Sequence, residues 1–314
     1  MGPVTDAEPL TWTTEQRNPD TTAIDTLDSA GVVALIVAAD AVVQPAVAAV
    51  ADQIAAAVDL AVASLSAGGR LHYVGAGTSG RLGVLDAVEL FPTYGVDDDQ
   101  VVAHLAGGEA AMLRAVEGAE DDPALGAEAI ADAGPHDLVV GIAASGRTPF
   151  VRGALQRARE LGLPTVLVSS NPAATLSDLA DVAILPDTGP EVVTGSTRMK
   201  AATAQKLVLN TFSTATMVRL GKTLSNLMVN VVATNAKLRR RTVNLLVQAS
   251  GLDEARCAEL LAEAEGDLRI ALVAALSGAA VAEGAEVLTM FPPDPGRAGD
   301  PGGIRSAVDS LAGR

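Results

Sequence analysis

Aromatic residues are nearly missing from this 314-residue chain: four Phe, two Tyr and one Trp make up 2% of it. Platforms for stacking single-stranded nucleic acid have almost nothing to stand on, and the core must be aliphatic. Cysteine occurs once, at Cys257, which excludes an intramolecular disulfide and any cysteine-rich zinc site. The three histidines, His72, His104 and His136, are scattered, so no metal site is expected; each lies in or beside an expected strand, where a core or surface role is the commoner one. Positive charge is scarce as well. With 22 Lys plus Arg against 38 Asp plus Glu the net charge is −16, which argues against a nucleic-acid clamp. Long uncharged apolar runs are absent: residues 32–65 are rich in Ala and Val, but Asp40, Asp52 and Asp59 interrupt them, short of the roughly 18 residues a membrane span needs. The opening stretch carries Asp6, Glu8, Glu15 and Arg17 instead of a basic segment, an apolar run and a cleavage site, so a cytoplasmic location without membrane attachment is expected.

What the chain does have is aliphatic material: 49% of its residues are hydrophobic, and its length suits one large domain plus a small one. Residues 1–22, with Pro3, Pro9, Asn18 and Pro19 and no periodicity, read as an extended arm. Two helical segments follow. From Leu71 onward, short β-rich runs (71–74, 101–105, 138–142, 165–169 and 182–185) alternate with helical stretches (81–90, 109–117, 149–161 and 199–220). That alternation predicts an α/β fold with a doubly wound, five-stranded parallel sheet flanked by helices and joined by right-handed crossovers. Beyond about residue 236 the strand signals stop, and 253–264 and 267–276 predict a small C-terminal helical domain. The expected division is a 1–22 arm, a 23–250 α/β domain, a boundary near Gly251, a 251–290 helical domain, and a flexible 291–314 tail rich in Pro and Gly.

Three segments carry chemistry. The first strand runs into Gly75-Ala76-Gly77-Thr78-Ser79-Gly80-Arg81, a GxGxxG turn in the setting where backbone N–H groups and a helix dipole bind phosphate. A dinucleotide site wants an acid at the far end of the next strand, but Asp98 and Asp99 precede the 101–105 strand. The loop Ala144-Ser145-Gly146-Arg147-Thr148 repeats the arrangement after the third strand. Two hydroxyl-rich, Gly-containing loops point to one sugar phosphate more than to a pyrophosphate, although either alone could be an ordinary tight turn. The third segment, residues 189–200, is a turn running into a helix: Thr194, Ser196 and Thr197 can donate hydrogen bonds, and Arg198 and Lys200 can offset a phosphate dianion. Glu191 within it orients a sugar or caps the turn.

The runs GAGTSGRLGVLD (75–86), GIAASGRT (141–148), GPEVVTGSTRMKAATAQK (189–206) and TEQRNP (14–19) together resemble the N-acetylmuramic acid 6-phosphate etherases over about residues 13–280. The resemblance implies a sugar isomerase (SIS) fold, a homodimer, no cofactor, and a small-molecule sugar phosphate as partner. It also implies cleavage of the D-lactyl ether of N-acetylmuramic acid 6-phosphate to N-acetylglucosamine 6-phosphate and D-lactate, a step in recycling cell-wall sugar. Substrate and phosphate contacts fall to Gly77, Thr78, Ser79, Ser145, Gly146, Thr148, Glu191, Thr194, Ser196, Thr197 and Lys200.

In the open-chain sugar the aldehyde acidifies the proton on carbon 2 and permits elimination of lactate from carbon 3; water then adds at carbon 3 and a proton returns to carbon 2. A base and an acid are required, and no metal. By the resemblance Glu120 serves carbon 2 and Glu89 the lactate oxygen, with Glu109 and Glu117 as rival carboxylates. The family's usual Ser-Glu-Cys-Pro-Pro-Thr-Tyr-Gly around the acid reads Val88-Glu89-Leu90-Phe91-Pro92-Thr93-Tyr94-Gly95 here, an apolar change expected to desolvate the carboxyl or to reshape the pocket. A sugar-phosphate isomerase, or a non-catalytic regulator similar to the glucokinase regulatory protein, are the alternatives; the two glutamates favour an enzyme.

Overall fold

The five β-rich runs become five strands: β1 (Leu71–Gly75), β2 (Val101–Leu105), β3 (Leu138–Ile142), β4 (Thr165–Val168) and β5 (Val182–Ile184). They form one parallel sheet in the order β2-β1-β3-β4-β5, with Leu71 opposite both Val101 and Leu138. The computed structural model describes residues 12–97, 99–233 and 235–313, so Pro3, Pro9 and Asp98 lie outside the described residues. Helices α1 (Ser29–Asp40), α2 (Val43–Ala48) and α3 (Ala51–Ser66) precede the sheet. Interleaved with it and following it are α4 (Gly77–Tyr94), α5 (Ala110–Leu113), α6 (Pro123–Ala129), α7 (Pro149–Glu160) and α8 (Lys200–Arg219). A helical unit of α9 (Ala236–Ser250), α10 (Glu254–Glu263), α11 (Leu268–Ser277), α12 (Val281–Met290) and α13 (Ile304–Ala312) completes the chain.

Alternate strand residues face opposite sides, and each side has its own apolar cluster. Leu71, Tyr73, Val140 and Ile142 pack with residues of α3, α4 and α8; Val74, Val139 and Leu167 pack with α7. Both faces of β1 and β3 are covered, which is why these strands read as nearly continuous apolar runs.

Two glycines of the GxGxxG turn serve packing. A Cβ on Gly75 would lie 2.8 Å from the Gly80 Cα, so strand and helix touch backbone to backbone there. Helix α4 accordingly begins at Gly77, earlier than expected. Beyond this contact Asp86 is buried and accepts from Tyr73 Oη (3.0 Å), Asn210 Nδ2 (2.7 Å) and Ser213 Oγ (3.1 Å), tying α4 to β1 and α8. Burial raises the carboxyl's pKa from its ordinary value, against the pull of those donors.

Several expectations need correction. Of 109–117 only α5 is helical: Gly107 and Gly108 hold positive φ before it, Arg81 Nε takes the Ala111 and Met112 carbonyls, and Arg114 turns extended. The expected boundary near Gly251 falls inside the third apolar cluster. That cluster starts at Leu224 and joins Leu238, Leu245 and Leu246 of α9 to Cys257, Leu260 and Leu272, so α9 packs with the helical unit. The 291–314 tail contains α13, with Ile304 and Ala307 buried, and Asp300 caps it by accepting from Arg305 and Ser306 N–H. The described part of the arm, from Trp12, forms short 3₁₀ turns docked on the body.

The histidines stay out of the crevice described below. Asp137 Oδ2 can only accept, so His72 Nε2–H donates to it (2.8 Å), leaving His72 Nδ1 to accept from His104 Nε2–H (2.9 Å). Burial, then the neighbouring His72, lowers the His104 pKa from 6.5 to about 4. A histidine neutral in the fold but free to charge once unfolded makes unfolding take up a proton. Its contribution is therefore complete above about pH 6.5 and is lost as pH falls toward 4, on the order of 3 kcal/mol in all. The substitution His104→Gln should flatten the decline in urea-unfolding free energy between pH 6.5 and 4.5; an unchanged slope would show that His104 is not its source.

Candidate active site

The strand order reverses between β1 and β3: the chain leaves β1 through α4 toward β2, and leaves β3 through α7 toward β4. Ligands of open α/β sheets bind in the crevice that this reversal opens beyond the strand ends. Both loops picked out from the sequence stand there. Helices α4 and α7 start at the crevice from Ala76 and Thr148, and neither residue makes a side-chain capping bond. Helices α1, α6, α9, α10 and α11 are each capped by an Asp or Asn side chain. The first N–H groups of α4 and α7 are thus left for an anion. Gly146 stands at φ +66°, Asn171 Nδ2 donates to the Ser145 carbonyl (2.8 Å), and Ser169 Oγ donates to that of Ala144 (3.0 Å), fixing the second loop.

The third segment behaves differently from a phosphate cradle at its start. Glu191 is fully buried, and its carboxylate accepts from the Lys200 N–H (3.1 Å) and the Ala201 N–H (2.9 Å), occupying the N-terminus of α8. Of the two roles left open for Glu191, capping is the one the structure displays. Lys200 is buried too and turns its ammonium to the Thr188 carbonyl (2.8 Å), away from the open role of a phosphate counter-charge. Thr194 is exposed, Ser196 and Thr197 are half-buried, and Arg198 is exposed. The arm lies against this segment: Thr21 Oγ1 donates to the Val192 carbonyl (2.8 Å) and Asn18 Nδ2 to that of Pro190 (3.3 Å). Arg147 of the second loop stacks on the Trp12 ring at 4.5 Å.

Gln205 was not singled out, although it lies inside the 189–206 motif. It is fully buried and accepts from Ser79 Oγ (2.9 Å), while its Nε2 has no partner. The legible signal was a single long polar residue on a helix face otherwise made of Ala201, Ala204 and Val208. Among the described residues seven buried side-chain polar atoms lack partners. Five belong to Trp12, Thr14, Arg147, Thr188 and Gln205, on the segments that meet at this crevice.

Comparison with known proteins agrees with this picture. Two family profiles match, "Glucokinase regulatory protein N-terminal SIS domain" over residues 53–159 and "SIS domain" over residues 112–215. A relative from Thermobifida fusca is 58% identical over 84% of this chain and 87% of its own. Others from Symbiobacterium thermophilum (53%, covering 84% and 89%) and Edwardsiella ictaluri (49%, covering 88% and 92%) are similar along nearly their whole length. Each is named N-acetylmuramic acid 6-phosphate etherase. The chain belongs to that family.

The two etherase carboxylates expected from the resemblance are both exposed. Glu120 sits in a 3₁₀ turn (Ala119–Asp121) that packs on α7, with Ala119 in the same buried cluster as Phe150 at the start of that helix. Glu89 lies on α4 about 15 Å along the helix axis from Ser79. Leu90 is buried in the sheet cluster, whereas Val88 is 59% and Phe91 36% exposed, so the apolar change around Glu89 does not by itself enclose the carboxylate. Glu109 and Glu117 are exposed as well; Glu109 lines a cleft of about 560 Å³ with His104 and Glu128. Among the described residues no group of three or more His, Cys, Asp or Glu is arranged to hold a metal ion.

Removing the Glu191 carboxylate leaves two buried α8 N–H groups without an acceptor and the positive end of that helix uncompensated. Glu191→Ala should cost on the order of 3 kcal/mol of stability in urea unfolding, and Glu191→Gln, which keeps an acceptor, clearly less. Equal, small losses for both would mean that the cap contributes little.

Proposed function

We propose that this chain cleaves the D-lactyl ether of N-acetylmuramic acid 6-phosphate, giving N-acetylglucosamine 6-phosphate and D-lactate by elimination and then hydration, with no metal ion required. The observation that carries this reading is the 58% identity, over 84% of the chain, to a relative named for that substrate. The crevice supports it: two helix ends without a side-chain cap can hold the phosphate, and Asn171 and Ser169 fix the Ser145 loop beside them. Glu120 takes the proton from carbon 2, and Glu89 protonates the departing lactate oxygen. The resulting unsaturated aldehyde accepts water at carbon 3, one carboxylate taking the water proton and the other returning a proton to carbon 2. The reaction is that of a carbon–oxygen lyase. A phosphorylated sugar does not cross a bilayer unaided, which fits a cytoplasmic enzyme.

The active form in this reading is a homodimer. General acid–base chemistry works best out of bulk water, yet both carboxylates are exposed on the single chain. Around Glu89 stand Leu85 and Val88, and near Glu120 stand Leu113 and Val116, all exposed. Helix α1 buries none of its residues, and with α2 it forms a 20-residue stretch of mean hydropathy 2.0 that is long and apolar enough to cross a membrane, 6% buried. Asp40 and the break between α1 and α2 interrupt that stretch, and a second copy covering it accounts for the exposure without a bilayer. The apolar groove of about 560 Å³ between α2, α3 and α8 continues the same face.

Enzymatic detection of D-lactate, after mixing the chelator-treated protein with N-acetylmuramic acid 6-phosphate, should find one lactate per substrate; its absence would overturn the reading. Glu89→Gln should lower turnover by about a hundredfold or more while leaving sugar-phosphate binding nearly unchanged. In light scattering the protein should weigh twice the chain, and Val37→Glu on the exposed face of α1 should yield monomers.

A further inference from the structure

The arm brings the chain's one tryptophan to the second loop. It is laid across the second and third segments by contacts along its length. The Trp12 ring covers the Arg147 guanidinium at 4.5 Å, and Asn18 and Thr21 donate to the Pro190 and Val192 carbonyls. Glu15 lies against Gly195, where a Cβ would stand 3.1 Å from its Oε2. Thr14, Asn18 and Thr21 are buried, so the arm is seated and Trp12 is carried to a set place.

Arg147 is bonded differently from the other cations of the three segments. Arg81 gives its Nε–H to the Ala111 and Met112 carbonyls, and Lys200 gives its ammonium to the Thr188 carbonyl. Arg198 is exposed and makes no bond among the described residues, so nothing sets its direction. Arg147 is half-buried and held by Trp12, yet its terminal Nη1 and Nη2 make no hydrogen bond or ion pair among the described residues. Its Nε is shut off from the surface, so the terminal nitrogens are the ones a ligand can reach. A ring over the guanidinium restrains the side chain and leaves those N–H groups free to donate.

We infer that Arg147 is a substrate-binding residue whose terminal N–H groups bond the sugar's phosphate, and that Trp12 is the positioning residue that aims it; this rests on the reading of the crevice as a sugar-phosphate site. Arg147 immediately precedes Thr148, from which α7 starts, so it is rooted at a helix end left open for the anion. A chain of net charge −16 attracts a phosphate dianion poorly from afar. A guanidinium fixed beside the open N–H groups supplies the local counter-charge and two charge-assisted hydrogen bonds. Because the indole lies on that guanidinium, a phosphate arriving there changes the surroundings of Trp12.

Isothermal titration of the full-length protein with N-acetylglucosamine 6-phosphate, which carries the phosphate but no lactyl carboxylate, tests this. Tryptophan fluorescence is followed in a parallel titration, where Trp12 is the one source of signal. The expected result is a saturable fluorescence change, with affinity lowered about tenfold or more in Arg147→Met. Arg147→Lys, which keeps the charge but not the planar fork, should also weaken binding, and melting curves report that each variant is folded. Trp12→Ala should weaken binding about threefold, and Trp12→Phe, which keeps a ring on the guanidinium, should restore it. Unchanged affinity in both Arg147 variants overturns the inference and leaves the crevice reading standing; no binding by the unaltered protein overturns that reading, and the inference with it. Trp12→Phe binding as weakly as Trp12→Ala overturns the role of the ring. A raised KM for N-acetylmuramic acid 6-phosphate in Arg147→Met, with binding of N-acetylglucosamine 6-phosphate unchanged, overturns the phosphate contact in favour of the lactyl carboxylate.

Discussion

A single buried carboxylate organises the centre of this molecule. Glu191 lies at the N-terminus of α8 and accepts from its first two N–H groups, so the positive end of a 20-residue helix is neutralised from within the fold. With that end fixed, the rest of α8 presents its polar side chains at set heights. Gln205 meets Ser79 of the first loop, and Asn210 and Ser213 meet Asp86 in the middle of α4. The same segment receives the arm through Pro190 and Val192, and Lys222, just past the end of α8, lines the cavity of about 370 Å³ at the junction with the helical unit. Crevice, arm and junction are therefore registered to one helix.

Helix ends are treated in three ways in this fold. Five helices are capped by their own sequence, through Asp28, Asp122, Asn235, Asp253 and Asp267, whereas α2 and α3 start from Val42 and Val50 without a side-chain bond. Helix α8 is capped from a distance by Glu191. At the β1/β3 crevice α4 and α7 are left open, one starting at Ala76 and the other at Thr148 without a side-chain bond. An acidic protein attracts a phosphate dianion poorly over long range, so the attraction must come from local dipoles and a few placed donors.

Much of the fold was legible because its signals are local. Each of the five strands is a short run rich in strand-forming residues and bounded by turn residues, and α7 and α9 have the apolar period of a covered face. Where the reading failed, a distant contact had overridden local preference. The 109–117 stretch has helical composition, but Arg81, on another helix, takes its carbonyls. The Pro- and Gly-rich run after Phe291 has the composition of a loose tail, yet Asp300 and the buried Ile304 dock it on α11. The boundary near Gly251 marked a real break between α9 and α10, but a left-handed helix end says nothing about which core the helix before it joins.

By itself the sequence determined the family, the α/β class and the positions of the strands, because these reside in contiguous motifs and in periodicity. Tertiary structure alone decided the roles within them. It turned Glu191 inward as a cap and Lys200 toward Thr188, brought Gln205 to Ser79 across 126 positions of chain, and left Glu89 on an outer face of α4. A residue's chemistry is written in its type. Whether that chemistry faces a ligand, a helix end or another subunit depends on burial and direction, which are set by contacts between segments that no local pattern encodes.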